Sequence, residues 1–117
     1  MALLSQSYRA LIIGSTGTIG SAFMELLQDK PTCSAVVGLS RQSPHPIDYQ
    51  NPDSIEIAAK SLVDTGPFQL IINTIGVLHT DNWMPEKRLD DLNSDQLIEL
   101  MKINAIGPAL TIRHFSK

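Results

Sequence analysis

The residues with the clearest chemical potential form one run, "LIIGSTGTIGSAF" (Leu11 to Phe23), in which Gly14, Gly17 and Gly20 stand three apart. Glycine lets a backbone turn through positive φ and lets another group approach closely. Where a strand passes into a helix, such a turn offers an anion the helix's first unpaired N–H groups and the positive end of its dipole. Here Gly14 would make the turn, Gly17 would admit a pyrophosphate, and Gly20 would let helix and strand pack. The alternative is a tight turn with no ligand. The spacing is not Gly-x-Gly-x-x-Gly, so the flanking elements must decide.

Those elements favour the phosphate. "ALIIG" (Ala10 to Gly14) is a short apolar run ending at glycine, the mark of a strand buried on both faces. Ile19, Ala22, Phe23, Leu26 and Leu27 then follow the stripe of a helix packed on a sheet, and Pro31 ends it. "SAVVGLS" (Ser34 to Ser40) reads as a second strand, and "RQSPHP" as a loop. Asn51 and Pro52 read as an N-cap and first helical residue, ahead of a stripe of Ile55, Ala58, Ala59 and Leu62. "FQLIINTIGV" (Phe68 to Val77) is a third strand, followed by a polar loop. Asn93 or Ser94 caps the last helix, with Leu97, Leu100, Met101, Asn104 and Pro108 on one face. Strand and helix alternating three times indicate an α/β fold with a parallel sheet, and put the glycine turn at the carboxyl edge where such sheets bind ligands. One domain over residues 1–117 suits the length and the 43% hydrophobic content.

A strand following the glycine helix ends where an adenosine ribose would lie. An acid there selects NAD, and a basic residue suits the 2′-phosphate of NADP. This strand ends in Ser40 and Arg41, a hydroxyl and a guanidinium that can fork onto phosphate, so NADP is favoured, with NAD the alternative. A solvated surface arginine is the competing reading. Asn104 is a polar residue on an apolar helix face and needs a partner. Pro108, four residues on, has no N–H to give the Asn104 carbonyl, so a kink with a free acceptor is expected.

From these residues the chain resembles the short-chain dehydrogenase/reductases. The resemblance rests on the three glycines, on Asp48 after the loop, on "NTIG" (Asn73 to Gly76), and on "NAIGP" with Asn104 in the last helix. It implies a Rossmann-like, doubly wound parallel sheet, of which this is the N-terminal, cofactor-binding part. It also implies that the segment of Gly14, Ser15, Thr16, Gly17, Thr18, Ile19 and Gly20 binds pyrophosphate and that Asp48 meets adenine. Asn73, Thr74, Ile75 and Gly76 would line the cleft. Asn104 would belong to a catalytic tetrad with Ser, Tyr and Lys, its main-chain carbonyl holding a water in the proton relay. Thr18 stands where typical members have their middle glycine, which makes the spacing similar to the family's extended or atypical branches; Thr74 and Ile75 replace the middle pair of Asn-Asn-Ala-Gly, and "INTIGVLH" is similar to C-factor-like members. The implied activity is an NAD(P)(H)-dependent oxidoreductase acting on a small carbonyl or alcohol. A non-catalytic NAD(P) sensor and a structural fragment remain as alternatives.

The family's tyrosine and lysine occur as Tyr-x-x-x-Lys. Neither Tyr8 nor Tyr49 has a lysine four residues on, so the chain is expected to be inactive without downstream residues. The last helix carries Leu97, Ile98, Leu100, Met101, Ile103, Ile106, Leu110 and Ile112 around most of its circumference. A helix so apolar expects cover, so the chain should be marginally stable or a homo-oligomer. With a formal charge of −3 and no basic patch, neither nucleic acid nor membrane is an expected partner. His45, His79 and His114 lack ligand spacing, so no metal site is expected. The single Cys33 and the lack of a leader-like start make the cytoplasm the expected location.

Overall fold

The computed structural model describes residues 6–116. Strand β1 (Tyr8–Ile13) lies between β2 (Cys33–Leu39) and β3 (Leu70–Asn73), giving a parallel sheet of order β2-β1-β3. Helix α1 (Thr18–Gln28) connects the first two strands, and α2 (Asp53–Ser61) leads from the second to the third. Helices α3 (Ser94–Met101) and α4 (Gly107–Phe115) follow, joined by a π-helical turn, Lys102–Ile106. The result is an incomplete Rossmann-like α/β fold.

β1 explains why the helices fall on both faces. Its residues alternate, Tyr8, Ala10 and Ile12 packing with Leu27, Phe23 and Met24 of α1. Leu11 and Ile13 point the other way, onto Ile55 and Ala58 of α2, Ile103 of the π turn and Phe115 of α4. Leu11, Ile12 and Ile13 are fully buried, and each such side chain contributes about 1.5–3 kcal/mol relative to exposure.

The α1 stripe is rotated by one residue from its expected position. Gly20, Phe23, Met24 and Leu27 face the sheet, while Ile19 and Leu26 are exposed. The cause is Gly20: a Cβ there would lie 1.9 Å from the Gly14 carbonyl oxygen, so this position is the one that touches the turn. α2 also starts later than expected. Pro52 is its N-cap and no side chain caps it; the Asn51 carbonyl accepts from Ser54 (3.0 Å from N, 2.7 Å from Oγ).

β3 is much shorter than the ten residues expected. The pairing with β1 ends where β1 itself turns at Gly14, and Thr74 caps it by donating from N and Oγ1 to the Ile13 carbonyl, both 2.8 Å. β3 is only half-buried, with no strand beyond it among the described residues.

The last helix differs most. Its buried positions are Gln96, Ile103, Gly107, Thr111 and Phe115, not the face of Leu97, Met101 and Asn104. Leu97, Ile98, Met101, Ile106 and Ile112 stay exposed. The relief around Pro108 takes the form of a π turn in which the Gly107 N–H donates to the Lys102 carbonyl, five residues back. Proline cannot fill the α-helical slot opposite Asn104, and widening the turn accommodates that loss. Asn93 caps α3 by accepting from the Gln96 N–H (2.9 Å). Gln96 then donates to the Met84 carbonyl (2.8 Å), and Glu99 accepts from Trp83 Nε1 (3.1 Å), so the polar loop after β3 is fastened to α3. Met84 itself is exposed. No helix among the described residues is long and apolar enough to cross a membrane.

Candidate functional site

The crossovers diverge at β1: the chain leaves it for β2 on one side and returns as β3 on the other. Between the carboxyl ends of such strands a parallel sheet opens a crevice. Here it is a cleft of about 440 Å³ bounded by the β1–α1 turn, the end of β2, the Ile47–Gln50 segment and the chain after β3.

The turn comes first. Gly14 has φ 88°, a conformation that side chains disfavour, and a Cβ on it would meet Thr74 Oγ1 at 2.4 Å. Its N–H and that of Ser15 donate to the Leu39 carbonyl (2.8 and 3.1 Å), fastening the turn to β2. Gly17 is the N-cap of α1, and no side chain caps the helix or places an acid in its first turn. Ser21 N–H bonds the Gly17 carbonyl (2.9 Å), leaving the N–H groups of Thr18, Ile19 and Gly20 ahead of the helical ladder. A Cβ on Gly17 would make only ordinary contact, 3.5 Å from Gly14 O. The fold itself therefore needs glycine at 14 and 20, but not at 17.

The β2 end supplies a second wall. Ser40 is buried, and its hydroxyl accepts from the Gln42 N–H (3.1 Å), which leaves its own proton to donate. Arg41 is exposed at the cleft edge, and the ion pairs among the described residues, Glu56–Lys60 and Arg88–Asp91, do not involve it. The Lys60 ammonium beside Glu56 holds that carboxyl below the usual range. Asp48 accepts from the Gln50 N–H (2.9 Å) with one carboxylate oxygen, an Asx turn, and lines the cleft.

The floor is the segment after β3. Thr74, Ile75 and Gly76 line the cleft, with Val77 beside them. Asn73 does not; its Oδ1 accepts from the Ile75 N–H (3.2 Å) and so shapes the floor from behind. Asn104 is exposed, not buried on an apolar face, yet both its amide oxygen and its amide nitrogen have partners. The Val77 N–H donates to Asn104 Oδ1 and Asn104 Nδ2 donates to the Val77 carbonyl, both 2.8 Å. That reciprocal pair clamps the floor to the π turn.

Gly14, Thr16, Gly17, Ser40, Arg41 and Asp48 thus share one cleft with Thr74, Ile75 and Gly76. Ser15, Thr18, Ile19 and Gly20 stand behind or beside the turn, where Ser15 packs on Gly38 and Ile19 is exposed. Gln42, Tyr49, His79 and Thr80, none of them assigned a cleft role from sequence, also line the cleft. Thr80 Oγ1 is buried with no hydrogen-bond partner among the described residues. Tyr49 is buried, its hydroxyl donating to Asn73 Oδ1 (3.1 Å) and lying 2.8 Å from Thr111 Oγ1. Burial pushes its phenol up, against the Thr111 hydrogen bond, which pulls it down. The sequence signal for Tyr49 was slight: an aromatic residue next to a motif aspartate.

No family model and no curated protein matches the sequence. Solved structures match its fold. The NADPH-bound carbonyl reductase from chicken fatty liver superposes with a TM-score of 0.79 at 19% identity, over 95% of this chain and 48% of that one. A short chain dehydrogenase from Burkholderia cenocepacia in complex with NADP gives 0.74 at 22% identity, over 95% and 46%. A short chain dehydrogenase family protein from Francisella tularensis gives 0.74 at 17%, over 94% and 46%. The chain shares their fold and spans about half the length of each.

Proposed function

We propose that the chain is the cofactor-binding part of a short-chain dehydrogenase/reductase, an oxidoreductase that uses NADP(H) on a small carbonyl or alcohol. The observation that carries this is the uncapped start of α1, opening at Gly17 into a cleft whose second wall is Ser40, Arg41 and Asp48. The fit is chemical as well as spatial. The N–H groups of Thr18, Ile19 and Gly20 suit a pyrophosphate, and the space beside Gly17 suits its close approach. The orphan hydroxyl of Thr80 indicates that a polar partner belongs in this region. Two of the fold neighbours carry NADPH or NADP, in keeping with this cofactor.

In this reading Arg41 and Ser40 hold the 2′-phosphate, Asp48 meets the adenine, and Thr74 to Gly76 carry the inner half of the dinucleotide. A nicotinamide held there would supply the hydride chemistry of a carbonyl–alcohol interconversion. Asn104 contributes its main-chain carbonyl to the proton path, while its side chain keeps that turn in register with the floor. No Tyr-x-x-x-Lys occurs in the chain, so these residues are expected to bind cofactor without turnover. The proposed partners are a small-molecule substrate and further copies of the chain, in the cytoplasm.

Arg41→Ala tests the cofactor assignment. A charge-assisted hydrogen bond contributes about 1.5–3 kcal/mol, so NADPH affinity should fall by about tenfold to a hundredfold in a fluorescence titration. NADH affinity should hardly change. Equal affinity for both cofactors, unaltered by the substitution, would refute the 2′-phosphate role.

A further inference from the structure

Asp48 lines the cleft, and Asn104 holds the cleft floor through Val77. Tyr49 follows Asp48 directly, yet its ring is buried beneath the cleft wall against Gly107. A Cβ at position 107 would fall 2.3–2.9 Å from three Tyr49 atoms, so the ring fills the space that glycine leaves open. Gly107 closes the π turn through its N–H, and that turn carries Asn104. The hydroxyl end of the same ring reaches Asn73, which holds Ile75 in the floor.

The hydroxyls of Tyr49 and Thr111 join these contacts into one chain. Tyr49 and Thr111 have one hydroxyl proton each, and three contacts share them: Tyr49 to Asn73, Tyr49 to Thr111, and Thr111 to the Gly107 carbonyl (2.9 Å). Two protons fill two of the three contacts: Asn73 and Gly107 are both bonded when the two hydroxyls donate outward, and either bond is given up when its hydroxyl turns to the other. The Tyr49 hydroxyl thus stands between the floor, through Asn73, and the start of α4, through Thr111 and Gly107.

We propose that Tyr49 is a positioning residue that couples the floor of the cleft to the helix turn carrying Asn104, and so sets how tightly the inner half of the dinucleotide is held. This rests on the cofactor reading above. The nucleotide end does not depend on the hydroxyl: Asp48 N–H donates to Ser54 Oγ (2.8 Å), and the Asx turn closes through Gln50. Removing the hydroxyl should thus loosen one end only.

The test is Tyr49→Phe, which keeps the ring on Gly107, titrated with NADPH and with 2′,5′-ADP, a probe of the nucleotide end alone. One net hydrogen bond is about 1 kcal/mol, so NADPH affinity should fall by about fivefold while 2′,5′-ADP affinity is retained. In the ligand-free variant, amide exchange should quicken at Ile75–Val77 and not at Asp48–Gln50. Equal losses for the two ligands, no loss for either, or unchanged exchange at Ile75–Val77 would overturn the proposal alone. A wild-type chain that binds neither ligand would overturn the cofactor reading and this proposal with it.

Discussion

Gly20→Ala is expected to destabilise the chain more than a methyl added at Gly17, by about 3 kcal/mol or more, at the top of the overpacking range. The added Cβ would stand 1.9 Å from the Gly14 carbonyl oxygen and 2.7 Å from its carbon. Both obstacles are backbone, and that backbone is pinned. Gly14 N–H is bonded to β2, and the Gly14 carbonyl accepts from the Gly17 N–H (3.1 Å). No rotamer change can clear the clash, so α1 must lift from β1, exposing Leu27, Phe23 and Met24. Against a typical total of about 5–15 kcal/mol, that is a large share of the stability of a small domain. Urea denaturation of Gly20→Ala beside Gly17→Ala checks it. Equal midpoints would mean that the helix does not rest on the turn through Gly20.

Gly17→Asp should have the opposite signature: an intact fold and lost binding. The position has φ −75°, and a Cβ there meets nothing closer than 3.5 Å. Aspartate is a favoured N-cap, and its charge suits the helix dipole by about 0.3–1 kcal/mol, so the melting midpoint should hold or rise. The same carboxylate would occupy the ground that the pyrophosphate needs. Two unit charges about 4 Å apart near a protein surface repel by about 4 kcal/mol, so NADPH affinity should fall by about a hundredfold or more. Titration and thermal denaturation of the one variant check both halves. Undiminished affinity would place the anion elsewhere, and a collapsed fold would show that Gly17 serves structure instead.

The contrast between these glycines shows what could be read without coordinates. The strand, turn and helix around Gly14 to Gly20 are local features, written in apolar run, glycine and period, and the structure has them within a residue or two. The face that α1 turns to the sheet was not local: it follows from Gly20 touching a carbonyl six residues back in the chain. The last helix shows the same limit more strongly. Its apolar positions cover so much of its surface that periodicity cannot select a face. The choice falls instead to Gly107 against Tyr49 and Ile103 against β1.

Polar residues carried information that hydrophobic periodicity does not register. Asn93 followed by Gln96 has the spacing of a capping pair, and Gln96 is then free to anchor Met84. Asn104 was legible as a polar residue in need of a partner, but the partner, the Val77 backbone, lies across the cleft floor. Pro108 signalled a disturbed helix, and a wide π turn is the form that the disturbance takes. Cleft residues that hang on chain crossings were hardly legible, Tyr49 only as a neighbour of Asp48 and Thr80 not at all.

The most direct test of the account is to follow the backbone amide resonances of the ¹⁵N-labelled chain as NADPH is added. The residues that should move are Gly14 to Gly20, Ser40, Arg41 and Gly76, with Asp48 following at the nucleotide end. A separate, larger groove of about 700 Å³ lies near Lys60, Phe68 and Phe115, and its amides should stay still. Saturable shifts confined to the glycine turn and the Arg41 wall are the predicted result. Shifts confined to the other groove, or none at all, would contradict the assignment of this cleft to a nicotinamide dinucleotide.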